Sequence, residues 1–432
     1  MNIPETDLPR VIVIGGGFGG ISIARKLVNK DVQLVMFDKR NYHTFQPLLY
    51  QVSTSGLEPD SIAFPLRKLF NDGKNTFFRL AEVNNVDPEE KKIHTSIGEL
   101  SFDYLVIATG SKTNFFGNEN VEKNSVWMKT VPQALNLRSL ILENLEQASI
   151  TSDVEKRKKL LNFVIAGAGP TGVELSGAIA EMRRNVIPKD YPDFDTSEMH
   201  VHLIEGMDRV LPPMSEKASK NAQKYLENLG VEIHLSTFVK DYDGKTVTTS
   251  EGKTFSTETF VWSAGVTGAP IEGFSGKSFM EKGNRYSVNS YNQVGGYKSI
   301  FAIGDIAMMK SEEYPKGHPM VAQPAIQQGK HLAKNILRDT KGQQMQSFSY
   351  FDKGTMATIG RNRAVVDLKQ LKFGGTLAWY VWMFVHLWFL IGTKNKVVTF
   401  FNWLYNYVKY DSAERLIVRP FKKKKAELSD AD

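Results

Sequence analysis

Near the N-terminus, apolar runs and a glycine-rich turn follow one another in an order that predicts a βαβ unit. Residues 11–14, VIVI, are β-branched throughout, as in a parallel strand that is buried on both faces. The glycines of GGGFGG come next, and they lead into a sequence with helical periodicity. A second apolar run, VQLVMF, then ends at Asp38. We therefore expect a strand, a tight turn, a helix and a second strand parallel to the first.

The same pattern recurs later in the chain. Residues 161–182, LNFVIAGAGPTGVELSGAIAEM, again place glycines between an apolar strand and a helix, and VHLIEG ends a further strand at Glu205. The two glycine turns begin at Gly15 and Gly167, which are 152 residues apart. The sequence therefore predicts an α/β chain with two copies of one unit.

The glycines of both turns have the spacing of a dinucleotide-binding loop, G-x-G-x-x-G. They are Gly15, Gly17 and Gly20 in the first copy and Gly167, Gly169 and Gly172 in the second. Such glycines let the backbone approach a pyrophosphate, and the helix N-terminus supplies N–H groups and a positive dipole. Asp38 and Glu205 stand where an acid binds a ribose hydroxyl. Two copies predict two dinucleotides, with electrons passing from one to the other.

Glu205 bears on the choice of nicotinamide cofactor. A carboxylate accepts hydrogen bonds from a free ribose 2′-OH but repels a 2′-phosphate. We therefore expect NADH rather than NADPH at the second site, although Arg209 lies near enough in sequence to leave the strictness open.

The C-terminal region contains two apolar segments of different character. Residues 377–391, LAWYVWMFVHLWFLI, would reach about 22 Å as a helix, short of a hydrocarbon core of about 30 Å. In residues 397–410 and the preceding turn, a polar stripe runs along one side, formed by Asn395, Thr399, Asn402, Asn406 and Lys409. Phe400, Phe401, Trp403, Leu404 and Val408 occupy much of the rest. We expect the region to lie on a membrane without crossing it; a helical pair buried in a dimer interface or under the first domain is the alternative.

Composition narrows the possible chemistry. The chain has no cysteine, which excludes disulfide reduction and cysteine-ligated metal centres, and the sequence shows no metal-ligand cluster. The net charge is +7, and the run FKKKK at 421–425 suits an anionic membrane surface. No nucleic-acid-binding motif accompanies this charge. The N-terminus resembles neither a signal peptide nor a transit peptide, so we expect the protein to stay in the compartment where it is made.

Several motifs together resemble the type II NADH dehydrogenases, the single-subunit NADH:quinone oxidoreductases. They are NYHTFQPLLYQV (41–52), ATGSKTNFFG (108–117), GAGPTGVE (167–174), AQPAIQQG (322–329) and TIGRNRAV (358–365). The resemblance implies an α/β fold with two Rossmann-like dinucleotide-binding domains, for FAD and NADH, and a C-terminal amphipathic helical membrane-anchoring region. It places the FAD-binding domain at 8–120 and 283–345, the NADH-binding domain at 121–282 and the membrane-associated region at 346–432.

The resemblance also implies which residues bind the cofactors. Those implied for FAD are Gly15, Gly17, Phe18, Gly19, Gly20, Asp38, Lys39, Val83, Ala108, Thr109, Gly110, Gly304, Asp305, Ala322 and Gln323. Those implied for NADH are Gly167, Gly169, Pro170, Thr171, Gly172, Glu174, Glu205, Ala264 and Gly265.

Glu174, Gln323 and Gln327 are the implied catalytic residues. Pro324 is typical of the first residue of a helix, so we expect a helix to begin at 322–323, with its dipole directed at the flavin in the resembled fold. Gln323 and Gln327 are four residues apart, share one face of that helix and match the family's quinone-site glutamines. Glu174 has a competing interpretation, because Thr171-x-x-Glu174 also fits a helix capping box.

The implied reaction passes electrons from NADH to FAD and then to a membrane quinone, ubiquinone or menaquinone, without proton pumping. The expected location is peripheral, on the cytoplasmic face of a bacterial inner membrane, with lipid contact through residues 374–425 and a homodimer as a possibility. His386 is expected to pack rather than react. A soluble reductase of an electron-carrier protein and a non-enzymatic NADH-binding redox sensor are the alternatives.

Overall fold

The computed structural model describes residues 1–192, 195–274, 279–280, 283–409 and 414–419, which excludes the basic run at 421–425. The chain forms two compact units. Unit 1 comprises Met1–Thr44, Phe64–Asn114 and Val266–Lys353, and unit 2 comprises Phe45–Ala63, Phe115–Gly265 and Gly354–Asp432. The units differ from the predicted domain ranges in two main respects. Residues 266–282, which were predicted in the NADH-binding domain, belong to unit 1. Residues 45–63 and the C-terminal helices belong to the same unit as the second glycine turn.

The strands are, in chain order, β1 Arg10–Ile14, β2 Gln33–Asp38, β3 Tyr42–Thr44, β4 Ala63–Pro65, β5 Thr76–Leu80, β6 Val83–Asp87, β7 Lys92–Thr95, β8 Gly98–Ser101, β9 Tyr104–Ile107, β10 Ser111–Thr113, β11 Asn162–Ala166, β12 His200–Ile204, β13 Glu232–His234, β14 Val239–Tyr242, β15 Thr246–Thr249, β16 Thr254–Ser256, β17 Thr259–Trp262, β18 Val266–Gly268, β19 Phe279–Met280, β20 Arg285–Val288, β21 Ile300–Ala302, β22 Ala307–Met309, β23 Thr355–Thr358, β24 Ala364–Asp367 and β25 Lys372–Gly375.

The α-helices are α1 Phe18–Leu27, α2 Leu49–Ser53, α3 Glu119–Asn124, α4 Val131–Ile150, α5 Val154–Leu160, α6 Pro170–Asn185, α7 Ile187–Asp190, α8 Glu216–Asn228, α9 Ala322–Asp339, α10 Thr376–Phe389 and α11 Thr393–Lys409.

Unit 1 is built on a parallel sheet with the strand order β21-β9-β1-β2-β5. β1 lies inside the sheet, where Val11 pairs with Leu34 on one side and Tyr104 on the other. Every residue of β1 is buried, which explains its β-branched sequence. α1 follows β1 and packs against α9. A Cβ atom on Gly329 would lie 2.5 Å from the Gly19 carbonyl oxygen, so the two helices approach at glycines.

Unit 2 repeats this architecture with the parallel order β13-β12-β11-β17. β11 occupies the position of β1, and α6 follows it as α1 follows β1. Two antiparallel three-stranded sheets, β14-β15-β16 and β23-β24-β25, complete the unit, and β25 leads directly into α10. The predicted pair of Rossmann-like units is therefore confirmed.

The two predicted C-terminal helices are present as α10 and α11. Residues 393–396, which were expected to interrupt the helices, instead form the first turn of α11. Gly392, with φ of +90°, allows the reversal between them. Within the described ranges, none of the helices combines the length and the apolar character that crossing a membrane requires.

The polar stripe of α11 faces the protein, opposite to the direction expected for an amphipathic helix of a water-soluble protein. Asn395 donates to the carbonyl oxygens of Asp60 and Ala63 at 3.1 and 2.8 Å, and Asn406 donates to that of Gly56 at 2.9 Å. Asn402 donates to the Glu58 carboxylate, and Thr399 is completely buried. The amide side chains thus hold α11 against the segment that contains α2.

The opposite side of α10 and α11 is an apolar face open to solvent. Its residues are 46% to 68% exposed, and they are Leu377, Tyr380, Phe384, Trp388, Phe400, Phe401, Leu404, Tyr405 and Val408. Trp403 was expected on this face but is buried, with its Nε1 donating to the Gln51 side-chain oxygen at 2.7 Å. Exposed apolar area of this extent marks an interaction surface.

Candidate functional site

The first glycine turn forms a cradle in which side chains are excluded. Gly15 has a φ of +105°, and a Cβ atom there would lie 2.4 Å from the Ala108 carbonyl oxygen. A Cβ atom on Gly20 would lie 1.8 Å from the Gly15 carbonyl oxygen. Gly17, the N-cap residue of α1, instead faces open space, with no atom within 4 Å of an added Cβ. The turn therefore has no room for a side chain at Gly15 and Gly20 but is open at Gly17. A pyrophosphate can approach the start of α1, at Phe18, from this open side.

Asp38 at the end of β2 is held beside this turn. Its Oδ2 accepts the Gly16 N–H at 2.6 Å, and its Oδ1 accepts the Arg40 N–H at 2.7 Å. Burial raises the pKa of Asp38, while these two hydrogen bonds lower it. The carboxylate is thus fixed for a ribose hydroxyl. Lys39 beside it is exposed and lies 3.5 Å from Glu82.

The other residues predicted for FAD in unit 1 lie on strand ends and on α9. Ala108, Thr109 and Gly110 follow β9, and the buried Thr109 Oγ1 has no hydrogen-bond partner among the described residues. Asp305 accepts the Ser111 hydroxyl at 2.6 Å. Gly304 donates its N–H to the Gln328 side chain at 2.7 Å.

The fit to FAD rests on two of these observations, the glycine cradle and the orphaned Thr109 hydroxyl beside it. Val83 is different, because it is a core residue of β6. Sequence reasoning missed Gln328 and Ser111, which fix the Gly304–Asp305 turn. It also missed His43, whose Nδ1 lies 3.0 Å from the Gly16 carbonyl oxygen. His43 lies within the motif NYHTFQPLLYQV at 41–52.

The second glycine turn has the same construction. Gly167 has a φ of +97°, and its Cβ atom would lie 2.5 Å from Ala264 Cα. A Cβ atom on Gly172 would lie 1.9 Å from the Gly167 carbonyl oxygen, whereas Gly169 faces open space. Glu205 accepts the Ala168 N–H at 2.6 Å and the Met207 N–H at 2.9 Å, as Asp38 does in unit 1. Ala264 and Gly265 follow β17 at this turn.

Arg209, which left the NADH preference open, is engaged in its own loop. Its guanidinium donates to the Pro212 carbonyl oxygen at 2.9 Å. The structure therefore gives this arginine a local partner and leaves the Glu205 carboxylate as the charged group on the turn.

The capping-box interpretation of Glu174 is wrong. α6 begins at Pro170 with Gly169 as its N-cap, so Thr171 is an exposed residue of the first turn. Glu174 is 7% exposed, and its Oε1 accepts the Thr358 N–H at 3.4 Å. Burial raises the pKa of Glu174 to about 8, while the Thr358 N–H and the Trp382 indole lower it. The carboxyl group is thus mostly protonated at neutral pH.

Gln323 and Gln327 share one face of α9, and that face binds the following segment of the chain. Gln327 donates to the Phe351 carbonyl oxygen at 2.9 Å and accepts the Phe351 N–H at 3.1 Å. The Gln323 side-chain oxygen accepts the Lys353 N–H at 3.2 Å. α9 begins at Ala322 as expected, but Pro324 is its third residue rather than its first. This position is equally suitable, because the first four N–H groups of a helix have no intrahelical partner.

A half-open cleft with a volume of about 170 Å³ lies in unit 2 beside the C-terminal helices. Its lining includes Tyr50, Gln51, Glu181, Arg361, Trp379, Met383, Trp403 and Tyr407. Glu181 accepts the Arg361 N–H at 2.5 Å, and burial raises the pKa of Glu181 to about 7 against the attraction of Arg361. The Arg361 guanidinium lies 4.2 Å from the centroid of the Tyr407 ring. The cleft therefore combines aromatic walls with an acid that titrates near neutral pH.

One further histidine and a cluster of three side chains have different surroundings. His386 stacks on the Trp382 ring at 4.0 Å and bonds the Trp382 carbonyl oxygen at 2.7 Å, which is a packing role as expected. His200, His202 and Glu232, in contrast, form a cluster with metal-ligand spacing on β12 and β13, where the sequence had shown none.

Comparisons with known proteins agree with this architecture. Residues 9–329 match the pyridine nucleotide-disulphide oxidoreductase family, and residues 353–409 match the NDH2 C-terminal domain. A type II NADH:quinone oxidoreductase of Mycobacterium tuberculosis is 36% identical over 91% of this chain and 87% of its own length. A type II NADH:quinone oxidoreductase of Staphylococcus aureus is 29% identical over 83% of this chain and 89% of its own length.

A solved structure shows the same fold. NDH2 of Plasmodium falciparum, in complex with NADH, superposes with a TM-score of 0.86 at 22% identity, covering 95% of this chain and all of that one. A family model matches most of the chain, and a relative is more than one-third identical to it, so the family of the chain is established. The chain belongs to the pyridine nucleotide-disulphide oxidoreductase family and, within it, to the type II NADH:quinone oxidoreductases.

Proposed function

We propose that unit 1 holds FAD, that unit 2 holds NADH, and that the protein passes two electrons from NADH through FAD to a membrane quinone. The observation that carries this proposal is the duplicated cradle. In both units the first and third motif glycines leave no room for a Cβ atom, whereas the second, just before the helix, faces open space. In both units a carboxylate also accepts the N–H of the residue between the first two motif glycines. Bound FAD supplies the redox chemistry, because it accepts two electrons from NADH and returns them to an acceptor.

In unit 1, the chain's own groups orient and stabilise the cofactor. The N–H groups at the start of α1 bind the pyrophosphate, and Asp38 binds the ribose. The start of α9 lies against the same cradle, since Ala325 is close to the Cβ positions of both Gly19 and Gly304. The positive end of the α9 dipole therefore favours negative charge at this site.

In unit 2, two carboxyl groups have different tasks. Glu205 accepts hydrogen bonds from the ribose hydroxyls of NADH and repels the 2′-phosphate of NADPH. Glu174 holds a proton on its carboxyl group at neutral pH, because its pKa is raised to about 8. A neutral carboxylic acid donates a hydrogen bond as well as accepting one, so Glu174 is suited to pass a proton during quinone reduction.

The quinone approaches through the aromatic cleft of unit 2. α10 and α11 contribute Trp379, Met383 and Tyr407 to its lining, and the same helices carry the apolar face. A lipid-soluble substrate thus passes from the bilayer surface into the cleft without crossing water. Gln323 and Gln327 on α9 donate to the quinone carbonyl oxygens, as the family motif implies.

The apolar face is the membrane-binding surface. Burying a phenylalanine or tryptophan side chain contributes about 1.5–3 kcal/mol, so several exposed aromatic residues suffice for stable binding to a lipid surface. The protein lies on the cytoplasmic face of a bacterial inner membrane. The basic run at 421–425, outside the described residues, adds attraction to anionic lipid. A homodimer formed through the same region is compatible with this arrangement.

Anaerobic stopped-flow spectroscopy tests the function by separating its two halves. The FAD-loaded protein is mixed with NADH and then with a short-chain quinone while the flavin absorbance is recorded. We expect rapid loss and rapid recovery of the absorbance. Recovery with an electron-carrier protein but not with quinone would identify a soluble reductase. Absence of any loss would leave the redox-sensor alternative.

Gln327→Ala tests the quinone site in the same instrument. We expect the recovery with quinone to slow by at least about tenfold, because one preorganised hydrogen-bond donor is lost, while the reduction by NADH stays unchanged. Lys330→Ala is the matched control, since Lys330 is an exposed residue of the same helix. Equal slowing of both half-reactions would show that Gln327 only anchors the backbone of Phe351.

A further inference from the structure

An unassigned cluster of metal-binding side chains lies on one face of the sheet in unit 2. His200 and His202 are two residues apart on β12, so their side chains point to the same face. β13 pairs with β12 in parallel, with Glu232 opposite His202 and His234 opposite Ile204. Two short motifs, H-x-H and E-x-H, are thereby brought side by side.

The three side chains lie close enough together to share one ion. The His200 Nδ1 lies 2.7 Å from one Glu232 carboxylate oxygen, and the His202 Nδ1 lies 3.4 Å from the other. One ligand atom from each of the three residues lies within 4.8 Å of the others. A cation lies about 2.0–2.2 Å from each of its ligand atoms, so small side-chain rotations would bring three such atoms into its coordination shell. His202 is buried, whereas His200 and Glu232 are exposed, so the site is open on one side.

Hydrogen bonds around the cluster fix the imidazoles. His234 Nε2 lies 3.2 Å from His202 Nδ1, and Lys253 donates to His234 Nδ1 at 3.2 Å. Since His234 Nδ1 accepts, a neutral His234 carries its proton on Nε2 and donates it to His202. An ion bound at His202 Nδ1 would therefore displace this hydrogen bond from His234.

The geometry points to a binding site for a divalent transition-metal ion, Zn²⁺, formed by His200, His202 and Glu232. Two imidazoles and one carboxylate are a ligand set that this ion prefers, with water at the open position. A hard cation such as Mg²⁺ is a poor match, because two of the three ligands are nitrogen. The hydrogen bond from Lys253 to His234 Nδ1 weakens metal binding. It keeps the His234 proton on Nε2, where that proton is donated to His202 Nδ1.

The ion joins two strands that also carry the NADH-binding carboxylate. Glu205 directly follows β12 and donates its N–H to the His234 carbonyl oxygen at 2.8 Å. A metal bridge between β12 and β13 therefore stabilises the sheet edge on which Glu205 stands. This consequence rests on the proposed NADH site, whereas the metal site itself does not.

Isothermal titration with Zn²⁺ tests the site on the full-length, FAD-loaded protein, prepared without a polyhistidine tag and stripped with a chelator. We expect one ion per chain, with a dissociation constant of roughly micromolar or lower. His200→Ala and Glu232→Gln should each weaken binding by about tenfold or more, because each removes a ligand. Both replaced residues are exposed, so the fold is retained.

His94→Ala is the matched control. His94 also pairs with a glutamate, Glu99, at 3.1 Å on the surface, but without a second histidine. This variant should bind Zn²⁺ as the wild type does. Lys253→Met should bind more tightly, because His234 is then free to change tautomer and add a fourth ligand.

Amide hydrogen exchange gives an independent readout of the same site. Saturating Zn²⁺ should slow exchange in β13 and at Glu205 in the wild type and not in His200→Ala. Absence of saturable binding, or equal affinity in the wild type, His200→Ala and Glu232→Gln, would overturn the proposal. If the wild type binds Zn²⁺ as expected but does not bind NADH, only the proposed NADH site is contradicted.

Discussion

Replacing Glu174 with glutamine removes a buried carboxyl group whose pKa lies well above its usual value. Glutamine keeps the size of the side chain and still accepts the Thr358 N–H, but it does not ionise. In the wild type, burial raises the pKa of this carboxyl group from 4.5 to about 8. The substitution therefore changes the pH dependence of stability while leaving the packing in place.

The sign and size of the effect follow from that pKa. The folded protein retains a proton that the unfolded chain releases above about pH 4.5, so stability falls as the pH rises towards 8. The slope is about 1.4 kcal/mol per pH unit and decreases as the pH approaches 8, so the loss from pH 6 to pH 8 is roughly 2 kcal/mol. In a unit of this size, that corresponds to an unfolding temperature lower by roughly 4–8 °C. Glu174→Gln should lack this part of the decline and should be more stable than the wild type above pH 8.

Two measurements on the wild type and the variant test this reasoning. Thermal unfolding, followed by tryptophan fluorescence across this pH range, measures how steeply the unfolding temperature falls with pH in each protein. Glu181 contributes equally to this decline in both proteins, so its effect cancels in the comparison. Infrared difference spectroscopy detects the C=O stretch of the protonated acid directly. Glu216→Gln is the control, because Glu216 is exposed on α8 and the neighbouring Lys220 lowers its pKa, away from this range.

Two results would refute the argument. A wild-type carboxyl signal that disappears near pH 4.5 would show that Glu174 is hydrated despite its burial. Equal declines in unfolding temperature for the wild type and Glu174→Gln between pH 6 and pH 8 would show that its proton makes no contribution to folding. Either result would also remove Glu174 from the proposed path of the proton.

Three further predictions concern the cradles, the cofactor choice and the membrane surface. Gly20→Ala should fail to retain FAD, whereas Gly172→Ala should retain FAD and lose reduction by NADH, because each Cβ atom would lie within 2 Å of a backbone oxygen; flavin content and stopped-flow rates check this. Glu205→Gln should narrow the NADH/NADPH preference by about tenfold, or ~1.4 kcal/mol, in steady-state kinetics. Replacing Phe384 and Phe401 together with lysine should weaken sedimentation with anionic vesicles by more than about a hundredfold, since about 3–6 kcal/mol of burial is lost. Lysine at Ile150, which is 85% exposed elsewhere in unit 2, should have no effect.

Much of the fold was predictable, because its signals are local in sequence. A β-branched strand, a glycine turn and an amphipathic helix occupy consecutive residues, so both βαβ units and their acids, Asp38 and Glu205, follow from spacing alone. The C-terminal helices were predictable for the same reason.

Local sequence patterns do not show contacts between side chains and partners that are distant along the chain. Glu174 fits a capping box locally, yet it bonds the Thr358 N–H, 184 residues away. The glutamines of α9 bind a segment 24 to 30 residues further along the chain. The histidine cluster exists only because β13 pairs with β12, and sequence alone does not show which strands become neighbours.

The inverted polarity of α11 reverses the usual rules of mutational tolerance. On a helix of a water-soluble protein, polar positions accept many substitutions and apolar positions few. Here Asn395, Asn402 and Asn406 each satisfy specific backbone or carboxylate groups, so replacement by any residue of different shape breaks a defined bond. Phe400, Leu404 and Val408 require only that some apolar side chain be present. A saturation scan of this helix would therefore find its strictest positions among the asparagines and its most permissive ones among the large apolar residues.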